Sequence, residues 1–233
     1  MKSRFLCIIG VVIFLLPFSS LKAQSTGYSF HVGPNLGFQK WGYGSSRAAL
    51  LAYHFSLSVD SESSEGNNII YGDFGYHVKG GAIRYQYFQD LFGNRIKGDK
   101  FNMACHNLAL EAGVRKMVGG EKLKTYFGIG ARAEYTVKTD FEINREYEEY
   151  VRKFNYGLSF LGGIEYSLGK TVKNGWQIKI APDISKQIFV PAGILWYDPY
   201  TRTSYRGTEI STRNLTIELS TYIRLLQLIE YEE

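Results

Sequence analysis

Between Leu215 and Leu225 the chain alternates without a break. Leu215, Ile217, Leu219, Thr221, Ile223 and Leu225 hold one parity; Thr216, Glu218, Ser220, Tyr222 and Arg224 hold the other. Successive strand side chains point to opposite faces, so this stretch is a strand with one apolar and one polar face. The rhythm recurs upstream. Phe127, Ile129, Ala131, Ala133, Tyr135 and Val137 oppose Gly128, Gly130, Arg132, Glu134, Thr136 and Lys138. Phe154, Tyr156, Leu158, Phe160, Ile164, Tyr166 and Leu168 oppose Asn155, Gly157, Ser159, Gly163, Glu165 and Ser167, and Leu161 breaks the rule. Alternation and Gly/Asn/Asp-rich breaks predict eight strands near 28–40, 47–59, 68–85, 102–117, 124–138, 153–168, 175–189 and 212–226.

The composition of the two faces decides which one meets water. The polar face is rich in glycine and serine, which a solvated strand surface disfavours. Small residues are what a narrow eight-stranded interior accommodates. The apolar face is bulky, and aromatics gather at its ends: Phe38, Phe154 and Tyr156 at one, Tyr28, Phe127, Tyr166 and Trp176 at the other. That is a double interfacial girdle, so the apolar face is expected to meet lipid. A one-residue slip would instead put Arg132, Glu134, Glu165 and Arg224 in lipid, at roughly 2–4 kcal/mol per arginine near the midplane.

The breaks alternate too. "DSESSEGN", "VGGEKL" and "GKTVKNG" are short, whereas 87–100, 140–152 and 190–211 are longer, charged and aromatic; "WGYGSS" is a short exception. The expected fold is therefore all-β: an eight-stranded antiparallel up-and-down transmembrane β-barrel with short periplasmic turns and longer extracellular loops. Pro34 and Pro182 each remove a ladder donor, and an irregularity is expected at Pro182.

The start of the chain bears on location. Lys2 and Arg4 precede the 14-residue apolar run "FLCIIGVVIFLLPF", followed by "SSLKAQS". This reads as a secretory signal peptide over 1–23, with the barrel over 24–228 and an acidic tail over 229–233. The run is short of the roughly 20 apolar residues of a membrane anchor. Of 27 basic residues, Lys2, Arg4 and Lys22 leave with the signal, so 24 face 22 acidic ones and no nucleic-acid partner is implied. Cys7 leaves as well, and Cys105 alone cannot form an intramolecular disulfide.

"YSFHVGPNLGF" after the signal, followed by eight strands in this rhythm, resembles the small outer-membrane barrels of Bacteroidota, the PorT-like or "outer membrane protein beta-barrel" family. The resemblance covers residues 27–228 and implies outer-membrane residence, with envelope roles such as protein secretion. One departure concerns the end, where many outer-membrane barrels carry a terminal aromatic residue; here "QLIEYEE" follows Leu226.

By parity the lumen collects Glu111, Arg115, Arg132, Glu134, Lys138, Glu165, Lys179, Asp183, Glu218 and Arg224. Both signs in so narrow an interior suit an ion-paired plug better than an ion path or proton relay. His31, His54 and His77 also fall on lumen parity but at different heights, so no shared metal site is expected. His106 would need a nucleophile or carboxylate within reach to act as a base, and no spacing supplies one. Tyr147, Tyr150, Trp196, Tyr197, Tyr200 and Tyr205 are candidate loop contacts, by a composition shared between contact surfaces and the aromatic belt. The expectation is a non-enzymatic envelope barrel without cofactor or metal, in contact with outer-membrane lipid and with other envelope proteins through its loops or tail. A narrow solute channel is the second reading, and a lipid-modifying barrel enzyme the third.

Overall fold

The computed structural model describes residues 23–41, 47–63, 67–85, 87–90, 92–120, 122–198 and 202–228. Eight long strands form the wall: β1 (Ala23–Trp41), β2 (Leu50–Ser63), β3 (Asn68–Arg84), β4 (Lys100–Gly119), β5 (Leu123–Phe141), β6 (Phe154–Ser167), β7 (Val172–Pro182) and β8 (Ile210–Leu228). Each pairs antiparallel with its sequence neighbours, and β1 pairs with β8 from Ser25↔Leu228 to Trp41↔Thr212. That last ladder closes the ring and removes the sheet edges. The chain is an all-β, eight-stranded, antiparallel up-and-down barrel of the transmembrane type. No helix among the described residues is long and apolar enough to cross a membrane. Any crossing belongs to the strands.

The polarity of the wall is inverted relative to a soluble barrel. Glu218 is 3 % exposed, and the next residue, Leu219, is 48 % exposed. Phe30, Val32, Leu57, Leu110, Ile129, Phe160, Ile178 and Ile223 likewise face outward. Arg224, Lys79, Asn107 and Asn155 are among the most completely buried side chains. Leu161 points inward, into a cluster with Ile69, Tyr71, Met117, Tyr126 and Tyr222, which explains its break with the outward pattern.

Three irregularities re-aim the wall near the loop end. Pairing jumps from Pro182↔Leu215 to Ile188↔Thr212, so β7 carries three residues more than β8 across that interval. The expected irregularity at Pro182 is thus a wide bulge, after which Ile188 and Val190 point inward. In β5, His106↔Lys138 is followed by Asn107↔Thr136, leaving Val137 as an extra residue and flipping the parity beyond it. Between Ala48↔Ala82 and His54↔His77, β2 has one residue more than β3. Here β3 leans over β1: Asn35 Nδ2 donates to Val78 O at 2.9 Å. A Cβ on Gly37 would lie 2.6 Å from Gly80 O, so only glycine allows this approach. At Pro34 the ladder lapses on the β8 side, where Gly33 and Pro34 have no paired partner.

The connections at the loop end carry structure of their own. Tyr87–Gln89 pairs with Arg95–Lys97, Leu195–Asp198 with Thr203–Arg206, and Arg145–Tyr150 forms a 3-10 segment. The opposite connections are brief, since β2 runs on to Ser63 and β7 starts at Val172. The 1–22 part of the expected signal peptide and the tail 229–233 lie outside the described residues.

Candidate functional site in the barrel lumen

The charged side chains that alternation sends inward meet in two networks separated by a tyrosine layer. At the turn end Arg224 is central. Its Nη2 lies 2.5 Å from Asp60 Oδ1 and 3.3 Å from Glu62 Oε2, and its Nη1 3.3 Å from Glu165 Oε1. Arg115 donates to the other Asp60 oxygen at 2.6 Å, and Lys173 reaches Glu165 at 3.3 Å. Strands β2, β4, β6, β7 and β8 contribute on their inward parity, so residues far apart in sequence converge across a bore a few side chains wide.

Above this network, Tyr222 donates to Glu165 at 3.1 Å, Tyr126 to Gln177 at 3.1 Å and Tyr71 to Glu111 at 2.7 Å. His31 stacks on Tyr222 with ring centroids 4.7 Å apart. Large amphipathic rings thus cross the bore, Tyr222 and Tyr71 spending their hydroxyls on one carboxylate of each layer and Tyr126 on an amide.

The upper network joins six strands. Lys179 pairs with Glu111 at 3.0 Å and Asp73 at 3.6 Å. Arg132 pairs with Glu134 at 2.7 Å and Glu218 at 2.9 Å. Lys79 contacts Asp183 at 2.6 Å and also Glu134. His77 lies between two carboxylates, 3.1 Å from Glu134 and 3.1 Å from Glu218, and His54 hydrogen-bonds Ser220 at 2.8 Å. Charges so placed offset their burial only as a set; removing one strands its partners.

Toward the loop end the lumen turns neutral and then apolar. Thr136 donates to Asn107 at 2.7 Å, and Asn214 donates to Gln187 at 3.2 Å and to Asp183 at 3.1 Å. Over them sits a buried cluster of Ile83, Met103, Cys105, Phe141, Ile188 and Val190, with Trp41, Tyr147 and Tyr150 packed on it. The spaces within the charged region are of water size.

Of the ten residues expected in the lumen, Glu111, Arg115, Arg132, Glu134, Glu165, Lys179, Asp183, Glu218 and Arg224 are buried there. Lys138 is not. Its side chain is 65 % exposed and lies 3.7 Å from Asp140, because the extra residue at Val137 turns it outward. Asp60, Glu62, Asp73, Lys79 and Lys173 belong to the networks although they were not singled out above. Asp73 and Lys79 share the parity of His77, which was signal enough. Asp60, Glu62 and Lys173 sit where turns were expected.

His54 and His77 do not stand at the different heights expected of them, being direct partners across the β2–β3 ladder, with His31 two residues further along. Among the described residues no cluster of three or more His, Cys, Asp or Glu is placed to hold a metal ion. His106 is on the outer surface, its Nδ1 2.5 Å from the hydroxyl of Tyr76, itself stacked on Phe55. Among the six loop aromatics, Tyr147 packs on Trp41 at 5.5 Å and Tyr150 against the apolar lid, so both serve the barrel itself. Tyr197 is exposed. Trp196 and Tyr205 are paired across their hairpin, with side chains outside the description, and Tyr200 lies outside the described residues.

No family model matches the sequence, nor does any curated protein. Solved structures with a similar course include the outer membrane protein OprG from Pseudomonas aeruginosa, at 10 % identity over 88 % of this chain and 97 % of that one, TM-score 0.48. Neisserial surface protein A is 11 % identical over 85 % and 96 %, TM-score 0.45. The outer membrane protease OmpT from Escherichia coli is 9 % identical over 89 % and 98 %, TM-score 0.47. At this level the likeness carries no argument about activity, and the barrel rests on its own strand register.

Proposed function

We propose that the chain is a resident of the bacterial outer membrane with a closed lumen, acting without catalysis through its two ends and its lipid-facing wall. The observation that carries this reading is the stacking of two ion-paired networks, a tyrosine layer and an apolar lid in one bore. A wall apolar outside and ionic inside supports membrane residence, and the apolar run that opens the sequence supports export. A lumen filled in this way leaves contact with lipid and with other envelope proteins as the available work, in keeping with the PorT-like barrels that the sequence resembles.

Two measurements test the proposal. Native protein should fractionate with the outer membrane and change its gel mobility on heating. In planar bilayers the purified barrel should show no steady conductance, whereas reproducible discrete openings would hand the role to a solute channel.

A further inference from the structure

Near the loop end the outer wall carries a belt of cations along the arc from β5 round to β1; Arg84 and Lys100, opposed across the β3–β4 ladder, are further cations at the same end. Lys40 of β1 and Arg213 of β8 are exposed and directly opposed across their ladder. Among the described residues neither has an ion pair. Like charges facing each other across strands are unfavourable unless something anionic lies between them. Next along the arc, Arg152 and Lys186 both lie over the Phe189 ring, at 4.9 and 4.7 Å from its centroid. Lys153, exposed and hydrogen-bonded through its carbonyl to Thr136 N, and Lys138, turned out by the bulge, extend the belt to β5. Glu209 and Asp140 are the carboxylates that pair with members of the belt, one each, at 2.8 Å and 3.7 Å. The carboxylates of the 3-10 segment join none of these ion pairs.

The belt sits directly on the lipid-facing wall. Phe38 and Leu215 form the outward pair next below Lys40 and Arg213, and Phe154, Tyr156 and Tyr135 continue the apolar surface under Arg152, Lys153 and Lys138. Cations stacked on such a wall match a molecule with acyl chains along the strands and phosphates at the level of the lysines and arginines. We propose that this arc, from β5 round to β1, is a binding site for a phosphorylated glycolipid of the outer leaflet. Arg213 and Lys40 grip one phosphate; Arg152 and Lys186 grip a second charge. The assignment rests on the outer-membrane reading, because it needs the loop end to face the leaflet that carries such lipids.

The test uses the full mature chain refolded in vesicles of phosphatidylcholine, with and without one-fifth bis-phosphorylated lipid A, then extracted for native mass spectrometry. Wild type should retain lipid A in preference to phosphatidylcholine. Lys40→Gln with Arg213→Gln, and separately Arg152→Gln with Lys186→Gln, should each lower retention about tenfold while keeping heat-modifiable mobility. Equal retention by wild type and both variants, or no preference over phosphatidylcholine, overturns the proposal. So does full displacement by millimolar inorganic phosphate, which would mark a free-anion site. A wild-type chain that enters neither vesicle strikes the outer-membrane reading, which heat modifiability reports independently.

Discussion

Arg224 and Asp60, 164 residues apart, meet face to face across the turn end of the lumen, Nη2 to Oδ1 at 2.5 Å and Nε to Oδ2 at 3.0 Å. Asp60 also receives Arg115, so one carboxylate is shared by two buried guanidinium groups from two other strands. The pair ties β2 to β8 without any backbone contact between them. Removing the carboxylate should cost much more than an exposed charge would.

Asp60→Ala is therefore expected to destabilise the barrel by about 3 kcal/mol, since it leaves Arg115 and Arg224 short of a partner in a buried site. Glu62 and Glu165 remain near Arg224 and keep the loss from being larger. Urea titration in lipid vesicles measures the difference. A change under 0.5 kcal/mol would mean that this end of the lumen is hydrated.

Lys138 and Lys179 separate the effect of the bulge from that of parity alone. Simple alternation sends both inward, yet Lys138 is exposed and Lys179 lies among Glu111, Asp73 and Glu218. Lys138→Gln should change stability in phosphatidylcholine vesicles by less than about 0.5 kcal/mol. Lys179→Gln should cost about 3 kcal/mol by stranding its carboxylates. Equal losses would contradict the extra residue at Val137.

The pinch between β1 and β3 makes a prediction about backbone. Gly37→Val should cost about 1–3 kcal/mol, because its side chain would meet the Gly80 carbonyl rather than a side-chain end that could swing away. Gly72, which has open space beside it on the outer face, should accept alanine with little loss. Both variants are compared by the same urea titration; similar losses would argue that β3 does not lean inward.

The limits of sequence reading follow from the same elements. Period-two alternation, as between Leu215 and Leu225, was legible because each face keeps one character over many residues, and over the strands together it placed nine charged residues inside. Asp60 and Glu62 escaped because "DSESSEGN" has the composition of a turn. In the fold Ser58, Asp60 and Glu62 instead continue one inward row, held by cations from β4, β5, β7 and β8. Lys138 was misplaced because a bulge is a relation between two strands, and β5 alone does not encode its count against β4. The apolar lid had no local signature either. Ile188 and Val190 look like ordinary alternating strand residues until the three extra residues after Pro182 rotate them inward.

The consecutive pair Glu218 and Leu219 tests the orientation of the whole wall. Leu219 faces out opposite Ile178, and Glu218 faces in, in contact with Arg132 and His77. Exchanging their characters should not be symmetrical. Leu219→Arg puts a cation against lipid, at roughly 2–4 kcal/mol if it lies near the midplane, and should impair insertion into vesicles. Glu218→Gln keeps the shape and an acceptor for Arg132, while Glu134 still serves both Arg132 and His77. It should cost about 1–2 kcal/mol and leave the barrel folded. The comparison is made by insertion yield and urea midpoint in the same vesicles. If Leu219→Arg inserted normally and Glu218→Gln did not, the apolar face could not be the one against lipid, and the barrel would have to carry out its work in water.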